Sequence, residues 1–133
     1  MEKPKILIVD DENEVRDSLR KFLTRNIECD LTEACNGRDA LELISKEVYD
    51  LILLDVKMPG ISGIDVLKKM GNSHTDTDVL IITAYDSQQV AREALKHGAA
   101  DYIVKPSTIE VIFEKIRQIL EKRKKYLPKK QKP

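Results

Sequence analysis

Residues 51–63 read LILLDVKMPGISG: four consecutive apolar residues, an aspartate, then a turn-forming stretch holding Pro59-Gly60 and Ser62-Gly63. A continuous apolar run of this length, bounded by turn signals, describes a strand covered on both faces. Asp55 therefore stands at the carboxyl end of a buried strand. Three further runs share the form: Ile6-Leu7-Ile8-Val9, Val79-Leu80-Ile81-Ile82 and Tyr102-Ile103-Val104. A weaker fifth strand fits around Cys29 to Ala34.

Between the runs, apolar residues recur at helical spacing: Val15, Leu19, Phe22 and Leu23, then Ala40, Leu41 and Ile44, then Ile64 and Leu67, then Val90, Ala91, Ala94 and Leu95. Ile109, Ile112, Ile116, Ile119 and Leu120 repeat the pattern in a last helix. Asn36-Gly37 precedes the second helix, and His97-Gly98 marks the stop of the fourth. Strand and helix alternate five times. Parallel strands require such crossovers, and right-handed crossovers with helices on both faces give a doubly wound α/β sandwich.

The chain has 133 residues, 41% hydrophobic and 35% charged, the composition of one folded domain with no apolar run near the roughly 20 residues of a membrane span. The opening MEKPKILIVDD reaches acidic residues too soon for the apolar stretch of a signal peptide, which predicts a cytoplasmic protein. Residues 121–133 hold seven Lys or Arg against one Glu, a balance of +6, which leaves −6 on residues 1–120 because the whole chain is neutral. The folded part is thus acidic and lacks a nucleic-acid footprint. The stretch from Glu121 reads as a basic, Pro-punctuated tail or linker too polar to pack. Cys29 and Cys35 are about 20 Å apart if both lie on one extended segment, too far to bond. Their spacing fits no zinc pattern, and both are expected to be buried free thiols.

The informative feature is what ends each buried strand: Asp10-Asp11, Asp55, Thr83 and Lys105-Pro106. Open parallel sheets bind ligands at the carboxyl ends of their strands, beside the point where strand order reverses. Carboxylates about 4 Å apart repel by about 4 kcal/mol per pair at an effective dielectric near 20. Raised pKa values relieve that repulsion, and a hard divalent cation with oxygen ligands, of which Mg²⁺ is the best match, relieves it better. Lys105 alone cannot neutralise three anions. Metal and lysine together suit a phosphoryl group.

Four segments, ILIVDDE at residues 6–12, LLDVKMPGISG at 53–63, IITAYD at 81–86 and GAADYIVKP at 98–106, make the chain resemble the receiver domain of a bacterial two-component response regulator. The resemblance covers residues 4 to about 123, giving a receiver domain over residues 1–123 and a basic tail or linker over 124–133. It implies a flavodoxin-like fold, with five parallel strands in the order 2-1-3-4-5 and five helices. It also implies that Asp55 accepts a phosphoryl group from a sensor histidine kinase or phosphotransfer protein. Asp10, Asp11 and Asp55 match the Mg²⁺ ligands, and Lys57 matches the residue whose backbone carbonyl joins them. Thr83 and Lys105 match the groups that contact the phosphoryl oxygens. Tyr102 falls at the aromatic position that swings inward on activation. Pro106 suggests a cis bond after Lys105. Ser107 departs from the family, which often has an apolar residue there.

The resemblance further implies that the side chains of Lys57 and Tyr85, with Ala84 and Pro106 beside the site, modulate the lifetime of the acyl phosphate. The surface of the fourth helix, fifth strand and fifth helix becomes the readout face for an effector or a second copy, with Gln88, Arg92, Lys96, Tyr102 and Val111 on it. His74 is placed in a solvated loop and His97 at a helix end, neither in the chemistry.

Three function classes fit the site. The leading one is a phosphorylation-controlled switch, a phosphoacceptor that takes part in its own phosphorylation and dephosphorylation without being an enzyme. A Mg²⁺-dependent phosphohydrolase using Asp55 would need a general acid or base, and Lys57 stands two residues on, where none can serve. A pure interaction module would be favoured by loss of an acidic or lysine position, yet every one is filled.

Overall fold

A computed structural model describes residues 2–71, 76–84 and 87–129. Five strands, β1 (Lys5–Val9), β2 (Asp30–Ala34), β3 (Leu51–Leu54), β4 (Asp78–Thr83) and β5 (Asp101–Val104), alternate with five helices. The helices are α1 (Asn13–Asn26), α2 (Gly37–Lys46), α3 (Gly63–Met70), α4 (Gln88–Lys96) and α5 (Ile109–Lys122). All four strand pairings are parallel, in the order β2-β1-β3-β4-β5. The fold expected from the sequence is the fold observed.

Register explains the continuous apolar runs. Leu7, Val9, Ile52, Leu54, Val79 and Ile81 face one core, shared with Ala40 and Ile44 of α2, Val66 and Leu67 of α3, and Ala94 of α4. Their strand neighbours Ile6, Ile8, Leu51, Leu53, Leu80 and Ile82 face the other, against Leu19 and Leu23 of α1 and Ile112, Ile116 and Leu120 of α5. With both faces covered, the inner positions of the central strands are apolar throughout, and polar residues stand only at their ends. β5 is an edge strand, and only Ile103 of it is buried.

Helix starts follow the capping chemistry of the sequence. Asn36 accepts the Asp39 N–H at 2.7 Å, and Ser62 with Asp65 forms a reciprocal capping box at the head of α3. Ser87 and Thr108 cap α4 and α5. Gly98 adopts φ 97° after α4, the left-handed turn expected of the His97-Gly98 stop.

Three expectations are corrected. Leu95 is 51% exposed, because α4 buries only a narrow face against the sheet. Cys35 is exposed and Cys29 only half-buried, because Cys35 lies just past the end of β2; both are free thiols as expected. The segment after α5 does pack: Arg123, Lys125 and Tyr126 find ionic and aromatic partners that its polar composition hides. His74 lies outside the described residues. Among the described residues no helix is long and apolar enough to cross a membrane.

Candidate functional site

The strand register delivers the polar strand ends to one rim. The Asp55 N–H bonds to the Val9 carbonyl at 3.0 Å, and the Lys105 N–H to the Thr83 carbonyl at 2.7 Å. Side-chain oxygens of Asp10, Asp11 and Asp55 then lie within 4.8 Å of one another, with Asp10 and Asp55 buried and Asp11 exposed. Lys105 reaches over them: its Nζ is 2.9 Å from Asp10 Oδ2 and 4.0 Å from Asp55 Oδ2. Thr83 is fully buried beside Asp55. Lys57 is exposed, its N–H 3.4 Å from Asp55 Oδ1. An open pocket of about 500 Å³ is lined by Asp11, Glu12, Asp55, Lys57, Thr83, Ala84 and Lys105, among others.

Burial pushes the Asp55 carboxyl above the usual carboxylate range. A hydrogen bond from Thr83 opposes that rise, the Asp10 charge adds to it, and the Lys105 charge and the Lys57 N–H oppose it. A carboxylate made uncomfortable in this way gains from any cation brought to it. The donor set is all oxygen, from three carboxylates on one side of an open pocket, which is what a hard cation retaining several waters requires.

All five strand-end residues expected at the site are therefore brought together. The Lys105–Pro106 bond is cis, as expected. Pro106 is exposed, and Ser107 donates its hydroxyl to the Val104 carbonyl at 3.2 Å, in place of the apolar packing common at that position. Tyr102 is half-buried and packs against the core beneath α4. Tyr85 lies outside the described residues. His97 is exposed at the end of α4, away from the site.

Two supporting residues were not anticipated. Arg16 of α1 donates to the Asp10 carbonyl at 2.7 Å and pairs with Glu33 at 3.3 Å, pinning the backbone of the acidic pair. Nothing in the sequence distinguishes it from the other charged residues of α1. Gly63, expected only to form a turn, sits so close to the Asp55 backbone that a Cβ there would lie 2.1 Å from the Asp55 carbonyl oxygen.

The parallel 2-1-3-4-5 sheet and the rim of carboxylates with one lysine define a response regulator receiver domain. The chain belongs to that family, whose model matches residues 6–117. It is 38% identical over 123 residues to the response regulator protein PilR of Pseudomonas aeruginosa, covering 92% of this chain and 27% of that protein. It is 37% identical over 128 residues to sporulation initiation phosphotransferase F of Bacillus subtilis, covering 96% of this chain and 97% of that one. Among solved structures, a CheY-like receiver domain from Methanospirillum hungatei superposes with a TM-score of 0.86 at 30% identity, covering 93% of this chain and 98% of that one. The chain thus spans about a quarter of one regulator and nearly the whole of another relative.

Proposed function

We propose that this domain is a phosphorylation-controlled signalling switch in which Asp55 takes a phosphoryl group from a sensor histidine kinase or phosphotransfer protein. The observation that carries the reading is the Lys105 ammonium placed against both Asp10 and Asp55 at the rim of a three-carboxylate cluster. Family membership supports phosphorylation-dependent signalling, and the receiver unit is taken as residues 1–123 with the segment from 124 attached to it.

Asp10, Asp11, Asp55 and the Lys57 carbonyl would hold Mg²⁺, which supplies charge neutralisation for the transferring group. Asp55 is a weak nucleophile, so its task is position: an oxygen presented at the open pocket in line with the donor phosphorus, while the bond to the leaving group breaks. Lys105 balances charge on the phosphoryl oxygens, and the Thr83 hydroxyl turns toward them. The acyl phosphate is labile, and Lys57, Ala84, Tyr85 and Pro106 set how readily water reaches it. Withdrawal of Thr83 frees space for Tyr102, altering the α4, β5 and α5 surface that meets an effector or a second copy. The switch acts in the cytoplasm, on donors in the same compartment.

Incubation with a small phosphodonor and Mg²⁺, read by mass spectrometry, tests the proposal. A stoichiometric, slowly decaying phospho-form absent from Asp55→Asn is expected. Catalytic turnover without an accumulating phospho-form favours a hydrolase, and no modification at all favours a pure interaction module.

A further inference from the structure

At the end of the sheet opposite the acidic rim, two further aspartates open strands. Asp50 directly precedes β3, and Asp78 is the first residue of β4. Asp50 is buried, and its Oδ2 accepts the Lys5 N–H at 2.8 Å. Its other oxygen is shared by two cations from beyond α5: Lys125 Nζ at 2.8 Å and Arg123 Nη2 at 3.3 Å. Arg123 also holds Asp78 at 2.9 Å and donates to the Asp76 carbonyl.

The chain reverses at Lys124, whose φ is 60°, and then runs across the end of the domain. Tyr126 sets its ring edge-on to Phe113, which packs in turn on Phe22. The Leu127 carbonyl accepts the Glu28 N–H at 2.8 Å, and the Lys129 N–H donates to the Asn26 carbonyl at 2.9 Å. Pro128 forms an antiparallel bridge with the fully buried Ile27. The segment thereby covers the chain just ahead of β2, which is an edge strand.

We infer that Arg123–Lys129 is an ionic clasp that closes over the base of the sheet and opens as one unit, ahead of the rest of the domain. Among the described residues its attachments beyond α5 are the charge-assisted bonds, the two backbone hydrogen bonds to residues 26–28, the Lys129 ammonium on the Thr24 carbonyl and the packing of Tyr126, whereas the sheet centre is buried on both faces. Elements held by few apolar contacts open at lower free energy than the core. Asp50 is the keystone, because one of its oxygens receives both cations, so removal of its charge weakens both attachments at once and leaves Arg123 on Asp78 and the Asp76 carbonyl alone. Opening uncovers Phe113 and Ile27 and frees the Glu28 N–H and the Asn26 carbonyl.

Hydrogen exchange on the full chain tests this. The reporters are the Glu28 and Lys129 amides, which bond across the clasp, against Leu7, Ile52 and Leu80 at the sheet centre. In the parent chain the two reporters should already exchange at least about tenfold faster than the central amides once intrinsic rates are allowed for, and in Asp50→Asn they should exchange about tenfold faster again. Lys125→Met, which leaves the sheet untouched, should give the same pattern more weakly and serves if Asp50→Asn does not fold. Reporters as strongly protected as the central amides in the parent chain, or that do not accelerate in either variant, overturn the inference.

Discussion

Lys105 Nζ stands 2.9 Å from Asp10 Oδ2 and 4.0 Å from Asp55 Oδ2, so the lysine already occupies part of the charge-binding capacity that a metal would use. Unit charges about 4 Å apart interact by roughly 1 kcal/mol in water and about 4 kcal/mol at an effective dielectric near 20. Removing the ammonium should therefore tighten Mg²⁺ binding. We expect Lys105→Met to bind Mg²⁺ about tenfold more tightly by calorimetry, yet to accept a phosphoryl group from a small donor about a hundredfold more slowly. Weaker Mg²⁺ binding in the variant would mean that the lysine organises the carboxylates and does not compete for them.

Asp55 carries a stability cost with a definite pH dependence. Its folded carboxyl lies above the ordinary value, chiefly through burial, and the unfolded chain returns it to about 3.9. Above the folded value the protein holds a charge that folding disfavours. As pH falls through that value the folded state takes up a proton first and regains stability, and below the unfolded value the penalty is gone. In a chelator, Asp55→Asn should therefore be the more stable protein at neutral pH, with the gap closing as pH drops toward 4. Urea midpoints across that range measure it, and a gap that widened on acidification would contradict the assignment.

The fold was legible because parallel strands buried on both faces write themselves as unbroken apolar runs, and Leu51 to Leu54, followed by Pro59-Gly60 and Ser62-Gly63, is too short a run for a helix. The site was legible for a related reason: Asp10, Asp55, Thr83 and Lys105 each sit at or just past the last residue of a run, so parallel pairing carries them to one rim. What the pattern hid were contacts made by polar residues with distant polar partners. Arg123 looks like any lysine-rich tail residue until Asp50 and Asp78 are brought beneath it by the topology. Arg16 likewise reads as helix surface until Glu33 arrives from β2. Leu95 fails in the opposite sense: its apolar character fits the helical pattern, but the narrow buried face of α4 leaves it outside.

Two glycines three residues apart should respond to alanine by different mechanisms. Gly60 adopts φ 82° with open space around its missing Cβ, so Gly60→Ala meets only left-handed backbone strain of about 1 to 2 kcal/mol. Gly63 has no such dihedral, but its Cβ would collide with the Asp55 carbonyl oxygen, which is backbone and has nowhere to go. Gly63→Ala should cost about 3 kcal/mol or more and weaken Mg²⁺ binding by displacing Asp55. Denaturant titration and calorimetry on both variants check this. Equal losses of stability, or unaltered metal affinity in Gly63→Ala, would remove the close-approach argument.

The base of the sheet should dominate the acid response with the opposite sign to Asp55. Burial is the largest single influence on Asp50 and pushes its carboxyl up, but the Lys125 hydrogen bond and charge, the Lys5 N–H and the Arg123 hydrogen bond together hold it below the ordinary range. A depressed carboxyl stabilises the fold above its unfolded value, and that contribution is lost as pH falls from about 4 through the lower folded value. Asp50→Asn should accordingly lose about 1.5 to 3 kcal/mol at pH 7, the scale of hydrogen bonds to a charged group, and lose progressively less relative to the parent below pH 4.

Leu95 and Val111 are 51% and 49% exposed on α4 and α5, the two helices that flank β5 in sequence, and Tyr102 is half-buried on that strand. Large apolar side chains that bury little in the monomer contribute little to its stability, so Leu95→Ala and Val111→Ala should each shift unfolding by no more than about 0.5 kcal/mol. At an interface the same truncations each remove about 1 to 3 kcal/mol of binding, or about five- to 150-fold in Kd. With Asp55 phosphorylated or mimicked by beryllofluoride, light scattering should show self-association, or titration should show effector binding, weakened by either change. Tyr102→Ala should weaken it too. Full affinity in all three variants, with stoichiometric phosphorylation intact, would move the readout away from the α4, β5 and α5 surface.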